Sequence, residues 1–270
     1  MLAIFFILGL IVGSFLNVVV ARLDLAESIV HGRSHCPKCK SMIQWYDNIP
    51  VVSFLILRAR CRKCEKSISW QYPFIEILTG IIFLLVGHYF FDISSGQAWF
   101  ETLAYWTIFS LMIVIVGYDI KFMEIPMLIF WCSLGSLVVL YLSMDWKNFG
   151  VLSNETFWGF MTSNGFLGGI VAAAFFYFLV FVSKEKWMGM GDAYIGFLVG
   201  FLVGFPSVLV GLLISFTSGS IFGIILMILK RGNLKTQIPF APFLILGGIA
   251  TFFLAKEFGD FQYLSLIWSI

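Results

Sequence analysis

The sequence predicts an all-α polytopic membrane protein of about eight transmembrane helices, with a small four-cysteine module between helices 1 and 2. Three observations predict it. Of 270 residues, 60% are hydrophobic and only 12% charged, where soluble domains carry about 25% charged residues. The apolar residues fall in long uninterrupted runs, without the alternation of an outer-membrane barrel. Four of the five cysteines form two closely spaced pairs in the one long polar stretch near the N-terminus. So few charges cannot cover a water-facing surface, which excludes a soluble globule, a disordered tail and a nucleic-acid-binding domain.

A span needs about 20 mainly apolar residues to cross roughly 30 Å of hydrocarbon. By that measure the candidate spans are 2–20, 73–91, 100–118, 127–142, 165–182, 193–204, 207–229 and 240–255. Each satisfies its own backbone as a helix, which hydrocarbon demands. The sixth is short, and Gly204-Phe205-Pro206 reads as a tight turn into the seventh. The expected organisation is a first transmembrane helix at 1–20, a cytoplasmic module at 21–72 and a helical domain at 73–270.

The first span does not read as a cleavable signal peptide. No Lys or Arg precedes it, Arg22 follows it, and no clear small-residue cleavage site is present. Basic residues favour the cytoplasmic side, so the N-terminus is expected outside. The stretch 21–72 holds nine of the seventeen Lys and Arg residues. Counting Lys121, Lys184, Lys186, Lys230, Arg231 and Lys235 in further inside loops gives fifteen inside, against Lys147 and Lys256 outside.

The paired cysteines are Cys36-x2-Cys39 and Cys61-x2-Cys64. They belong to an internal repeat at an offset of twenty-five: Arg33, Cys36, Lys38, Cys39, Ile43 and Trp45 align with Arg58, Cys61, Lys63, Cys64, Ile68 and Trp70. Two knuckles supplying two thiolates each suit tetrahedral closure around one structural zinc with no open position. Two disulfides are the competing reading, and a reducing cytosol disfavours them. A redox pair would not need duplication. So little apolar material makes this a loop-rich, metal-held zinc-binding module. Cys132, alone in the fourth span, reads as a small buried hydrophobe.

Acidic residues at membrane depth are costly and point to function. Glu101 reads as an interfacial structural charge. Glu76, three residues after Pro73, reads either as a charge at a helix N-terminus or as a polar contact to a cytoplasmic ligand. Asp119 closes the third span and Asp192 opens the sixth, within Gly189-Met190-Gly191-Asp192, so both fall at the same cytoplasmic depth. Two carboxyls in a partly dry site share a proton. One then serves as base on a water while the other, as acid, protonates a leaving amine. Two interfacial charges that never meet, or a proton or cation site in a carrier, remain open on these residues alone. His31, His35 and His88 lie in the cysteine stretch and near the outer face, unsuited to serve the pair.

The chain as a whole resembles the bacterial type IV prepilin leader peptidases, intramembrane aspartyl peptidases with an N-methyltransferase activity. The likeness starts at Gly13-Ser14-Phe15-Leu16-Asn17-Val18-Val19 with Arg22. It continues through Ser34-His35-Cys36-Pro37-x-Cys39, Trp45-Tyr46-Asp47-Asn48-Ile49-Pro50-Val51-x-Ser53, Cys61-x2-Cys64, Ile68-Ser69 and Tyr72-Pro73 with Glu76. Asp119 with Ile125-Pro126, Gly189-x-Gly191-Asp192 and Pro239-Phe240-Ala241-Pro242 complete it. The resemblance implies that Asp119 and Asp192 are the catalytic pair of an inner-membrane enzyme with its active site on the cytoplasmic side. It implies prepilin or pseudopilin substrates of type IV pilus or type II secretion systems. It also implies S-adenosylmethionine as methyl donor in the cytoplasmic module, with Glu76 and Arg22 as candidate contacts. Zinc at Cys36, Cys39, Cys61 and Cys64 agrees with it, and beyond substrate and lipid bilayer no nucleic-acid partner is expected. A peptidase without methyl transfer is the alternative, and the simpler relatives of that kind lack the cysteine module. Ala59, Met127 and Tyr194 depart from the family pattern, which favours glycine, a polar residue and lysine at those places.

Overall fold

The computed structural model describes residues 1–23, 34–148, 161–230 and 237–258. His31, Arg33, Arg231 and Lys235 lie outside the described residues. Among those described, the helices are α1 (Leu2–Leu23), α2 (Val52–Ile56), α3 (Gln71–Phe90), α4 (Gly96–Phe122), α5 (Met127–Asn148), α6 (Met161–Ser183), α7 (Met190–Val203), α8 (Ser207–Ile228) and α9 (Ala241–Phe258), with a 3-10 turn at Trp45–Asn48. Among the described residues two isolated β-bridges occur and no strand. Among the described residues six helices are long and apolar enough to cross a membrane: α1, α3, α4, α5, α6 and α8. The 14 residues of α7 extend only about 21 Å at 1.5 Å per residue, and α9 falls outside the six. The described chain is thus all-helical with six candidate membrane spans, two fewer than the eight expected.

Two compact units divide the chain, Met1–Tyr118 and Asp119–Ile270, with the boundary inside α4. In the first, α1 packs on α3 through small residues that let the backbones close in, the usual device where lipid removes the hydrophobic drive between helices. A Cβ at Gly9 would stand 2.7 Å from the Gly80 Cα, and one at Gly13 2.8 Å from the Glu76 Cα. The amide of Asn17, buried at membrane depth, is satisfied by donating to the Tyr72 carbonyl at 3.1 Å and the Gly13 carbonyl at 3.3 Å. On the other side of α3, Trp106 of α4 stacks on Phe83 with centroids 4.9 Å apart and donates its indole N–H to the Phe83 carbonyl at 3.1 Å.

The second unit is organised around α7, whose Ala193, Ile195, Gly196 and Leu198 through Leu202 are all buried. A helix apolar on every side must be surrounded, and α7 meets α5, α6, α8 and α9. Glycine makes the approach to α6 possible. A Cβ at Gly200 would overlap the Gly168 carbonyl, and one at Gly168 would lie 2.5 Å from the Gly200 carbonyl oxygen. The end of α7 is fixed by Gly204 at φ 71°, whose N–H donates to the Gly200 carbonyl at 2.8 Å. The Asn164 side chain accepts the next N–H, that of Phe205, at 3.0 Å.

Cys132 differs from expectation. It stands exposed on α5, a surface that acyl chains rather than protein would cover, and a lipid-facing position is as apolar as a core one.

The close backbone contact makes a direct prediction. Gly200→Ala forces α6 and α7 apart against rigid backbone, and overpacking of this kind costs about 1–3 kcal/mol. A lowered unfolding midpoint of the purified protein in detergent is the expected result. Gly135→Ala, at a position where a Cβ meets nothing within 4 Å, is the neutral control.

Candidate active site and metal centre

The two aspartates of the sequence are brought into one unit. Asp119 lies in the last turn of α4, where the following residue Met123 turns left-handed at φ 56° and donates its N–H to the Asp119 carbonyl at 2.9 Å, ending the helix. Its side chain is only 6% exposed. The carboxylate accepts the backbone N–H of Ala241 at the start of α9. Its Oδ2 atom is buried and meets no donor among the described residues.

Asp192 stands in the first turn of α7, capped by Gly189. It accepts the Gly189 backbone N–H, and negative charge at a helix N-terminus is favourable. What joins the two is a packing contact at the neighbouring residues. A Cβ at Gly191 would stand 2.6 Å from Cδ1 of Ile125, so the glycine lets the start of α7 press against the segment leaving α4. Asp192 consequently lies within electrostatic range of Asp119. Tyr194, where the family commonly has lysine, sits beside Phe130 with ring centroids 5.8 Å apart.

The sequence placed Ala241 within Pro239-Phe240-Ala241-Pro242 but gave it no role. Its contribution is a backbone N–H, which no side chain announces. Pro239 and Pro242 around it were the available signal, since proline punctuates a helix start.

The cysteine stretch belongs to the first unit, and its repeat is structural as well as sequential. The Cys36 N–H donates to Ser41 and the Cys61 N–H to Lys66, both at 2.9 Å. Lys40 donates to the Cys36 carbonyl at 2.8 Å and Glu65 to the Cys61 carbonyl at 2.9 Å. Both Lys40 and Glu65 turn left-handed, at φ 55° and 56°. The bridges His35–Met42 and Arg60–Ser67 complete the match, again twenty-five residues apart. Between residues 34 and 70 only Cys36 and Phe54 are buried, so apolar packing contributes little.

All four sulfurs lie within 4.8 Å of one another, and all four thiols are free. The Cys36 and Cys64 sulfurs are 3.9 Å apart, too far for a disulfide of about 2.05 Å. The Ser41 side chain and backbone lower the Cys39 thiol to about 6. The N–H groups of Cys64 and Lys63 lower Cys61. The Lys66 N–H acts the same way on Cys64, but desolvation and the three neighbouring sulfurs outweigh it and push that thiol up to about 11. Gathered thiolates repel one another, and a bound cation relieves that repulsion. The cluster can hold a metal ion.

Glu76 and Arg22 are also in the first unit, and both are buried. Glu76 accepts the Val51 N–H at 2.8 Å and a bond from the Ser14 hydroxyl. Arg22 lines a cleft of about 700 Å³ that runs along α1 and is bounded by Ser34 and the segment from Asn48 to Val52.

Residues 106–224 match the Type IV leader peptidase family and residues 7–90 the Bacterial Peptidase A24 N-terminal domain. The chain is 33% identical over 276 residues to the "Type 4 prepilin-like proteins leader peptide-processing enzyme" of Escherichia coli O78:H11 (strain H10407 / ETEC), covering 93% of both chains. The chain belongs to the type IV leader peptidase family. A second member similar along its length is the "Prepilin leader peptidase/N-methyltransferase" of Bacillus subtilis, 30% identical over 264 residues, 96% of this chain and 95% of the relative. The Myxococcus xanthus protein of the same name is 33% identical over 235 residues, 84% of this chain. There the chain spans 63% of the relative's length, slightly under two thirds. No solved structure matches this chain.

The family's frequent glycine at the position of Ala59 has a backbone reason here. Ala59 is left-handed at φ 57°, its N–H donating to the Phe54 carbonyl at 2.9 Å to close α2. A side chain costs about 1–2 kcal/mol in that conformation. Ala59→Gly should therefore stabilise the module by about 1 kcal/mol, read as a higher temperature for loss of module structure in the purified protein.

Proposed function

We propose that this member of the family removes the leader of prepilins or pseudopilins with Asp119, Asp192 and a water, then methylates the new N-terminus with S-adenosylmethionine. The family match and the names of its relatives support the two activities. The observation that carries the assignment of the aspartates is the Gly191–Ile125 contact, which brings Asp192 into range of a buried Asp119 whose Oδ2 has no donor.

In this reading Asp119 accepts a proton from the water through Oδ2, and the water oxygen adds to the scissile carbonyl. Asp192, carrying a proton, passes it to the leaving amine as the C–N bond breaks. No acyl-enzyme forms, because no serine or cysteine nucleophile is required. The Ala241 N–H holds the other oxygen of Asp119 and so fixes the carboxylate plane. All eight apolar helices, α7 and α9 included, lie in the inner membrane, the N-terminus is outside, and the pair faces the cytosol. The excess of Lys and Arg in the expected inside loops supports that orientation.

The metal in this reading is zinc. Four sulfurs about 2.3 Å from one zinc stand about 3.8 Å apart, and the Cys36–Cys64 separation of 3.9 Å fits. Cys36, Cys39, Cys61 and Cys64 would hold the ion through their four sulfurs, a structural role that would tie the two knuckles together.

The methyl donor belongs in the α1 cleft. Its volume, about 700 Å³, falls in the range of small-molecule sites, about 300–1,000 Å³. Next to the cysteine module the walls combine apolar Val18 and Ile49 with polar Ser14, Asn48 and the cation of Arg22, while Ile7, Leu10 and Ile11 make the remainder along α1 apolar. Arg22 would take the donor's carboxylate in a charge-assisted pair. When bound, S-adenosylmethionine supplies the methyl group.

Asp119→Asn and Asp192→Asn should each lower cleavage of a prepilin peptide at least about a hundredfold. Mass spectrometry of the products checks this, and unchanged cleavage by either variant removes the pair from catalysis. Metal analysis of the purified protein should find about one zinc per chain. Cys36→Ser should abolish it while prepilin-independent insertion into the membrane persists. A protein of full zinc content after that change rules out the four-sulfur site.

A further inference from the structure

The segment that roofs the α1 cleft contains the strained backbone of Val51. This residue has φ 59° and ψ −47°, and the Val52 N–H reaches back two residues to the Pro50 carbonyl at 2.5 Å. The three residues form a γ-turn of the positive-φ kind, which is rare and strained. A β-branched side chain at its centre makes the conformation still less accessible. Such a turn persists only where its surroundings over-determine it, and strained backbone of this kind collects at functional sites.

One group visibly holds it. The Glu76 carboxylate, 7% exposed, accepts the Val51 N–H at 2.8 Å through Oε2. Glu76 is itself placed by the α1–α3 contact at Gly13 and by the Ser14 hydroxyl. A carboxylate set in membrane helices is thereby tied to a loop of the cysteine module. The residues around the turn, Asn48, Ile49, Pro50 and Val52, line the cleft, whereas Glu76 does not.

We infer that Glu76 is a positioning residue for methyl transfer: it holds the Pro50–Val52 turn in its strained form and so shapes the roof over the methyl-donor cleft. This rests on the reading of the cleft as the donor's seat. It replaces a direct contact between Glu76 and the donor with an indirect one, and Arg22 remains the group that touches the ligand. Glu76 releases its hold when the carboxylate is removed. Val51 then relaxes to negative φ, and the roof departs from the shape that the donor needs.

Two measurements on the full-length protein in detergent test it. Hydrogen exchange of the peptide covering 48–57, without donor, reads the turn alone. Glu76→Ala should speed it, Glu76→Gln, which keeps an acceptor oxygen, should speed it less, and a change confined elsewhere overturns the proposal. Initial rates of methyl incorporation per peptide cleaved, with S-adenosylmethionine varied, read the consequence. Loss of one charge-assisted bond should raise the KM for S-adenosylmethionine about tenfold in Glu76→Ala with kcat within about twofold, and Glu76→Gln should recover most of it.

Val51→Gly supplies a further check, because glycine takes positive φ without penalty. In that background Glu76→Ala should cost less than it does with Val51 in place. A loss in kcat at saturating donor with KM unchanged, equal damage from Glu76→Gln and Glu76→Ala, or an undiminished cost in the Val51→Gly background overturns the positioning role. Arg22→Gln separates the two readings. If it leaves the KM for S-adenosylmethionine unchanged, the donor cleft itself is wrong and the proposal falls with it, whereas a raised KM there beside an inert Glu76→Ala overturns the positioning role alone.

Discussion

Close backbone contact through glycine is the constraint on which the rest of this protein depends. Within a membrane, burying apolar side chains against one another gains little over burying them in lipid, so helices associate by fit. The fit here is made by α7, a helix too short to need the whole thickness and too apolar to face water. Gly168 and Gly200 remove the side chains that would hold α6 and α7 apart. Gly191 does the same for Ile125 at the other end of α7. The position of the Asp192 carboxylate is therefore a by-product of packing. A charged group is costly to place at membrane depth, and a rigid apolar helix is a suitable carrier for one.

Polar groups follow the same logic throughout. Asn17, Trp106 and Tyr141 each send a side-chain donor to a backbone carbonyl of another helix or turn, as hydrocarbon requires. The cysteine module reverses the arrangement. Its residues are mostly exposed, its apolar interior amounts to Phe54 packed on Trp70 with centroids 5.0 Å apart, and its order comes from backbone bonds and sulfur. Two kinds of cohesion thus occur in one chain, and Glu76 is where they meet in the first unit.

Much of this was legible in the residues. Spans could be read because hydrocarbon sets their length and composition, and the cysteine repeat because holding one metal ion with four thiolates dictates their spacing. The helices run past the apolar runs, α1 to Leu23, α5 to Asn148 and α4 from Gly96 to Phe122. Polar residues continue a helix as readily as apolar ones, so hydropathy marks the hydrocarbon and not the helix end. Burial of Cys132 was misread because lipid and protein interior ask for the same side chain. The pairing of Asp119 with Asp192 was suggested by depth, but the means, Gly191 on Ile125, depends on three-dimensional contact. The partner of Glu76 was hidden for a related reason: Val51 contributes only its N–H, and every residue but proline has one.

The duplicated knuckles carry a consequence for how the polypeptide tolerates change. Each loop is closed by its own amides, within six residues. Capture of an ion then requires only that two prebuilt claws approach one another. The entropy of closing the intervening chain grows slowly with its length, so an insertion in the connector away from the Pro50–Val52 turn should cost ion capture little, while a shift of one residue inside either claw would misdirect a sulfur. The claws are therefore the stretches of the module that tolerate least change in length.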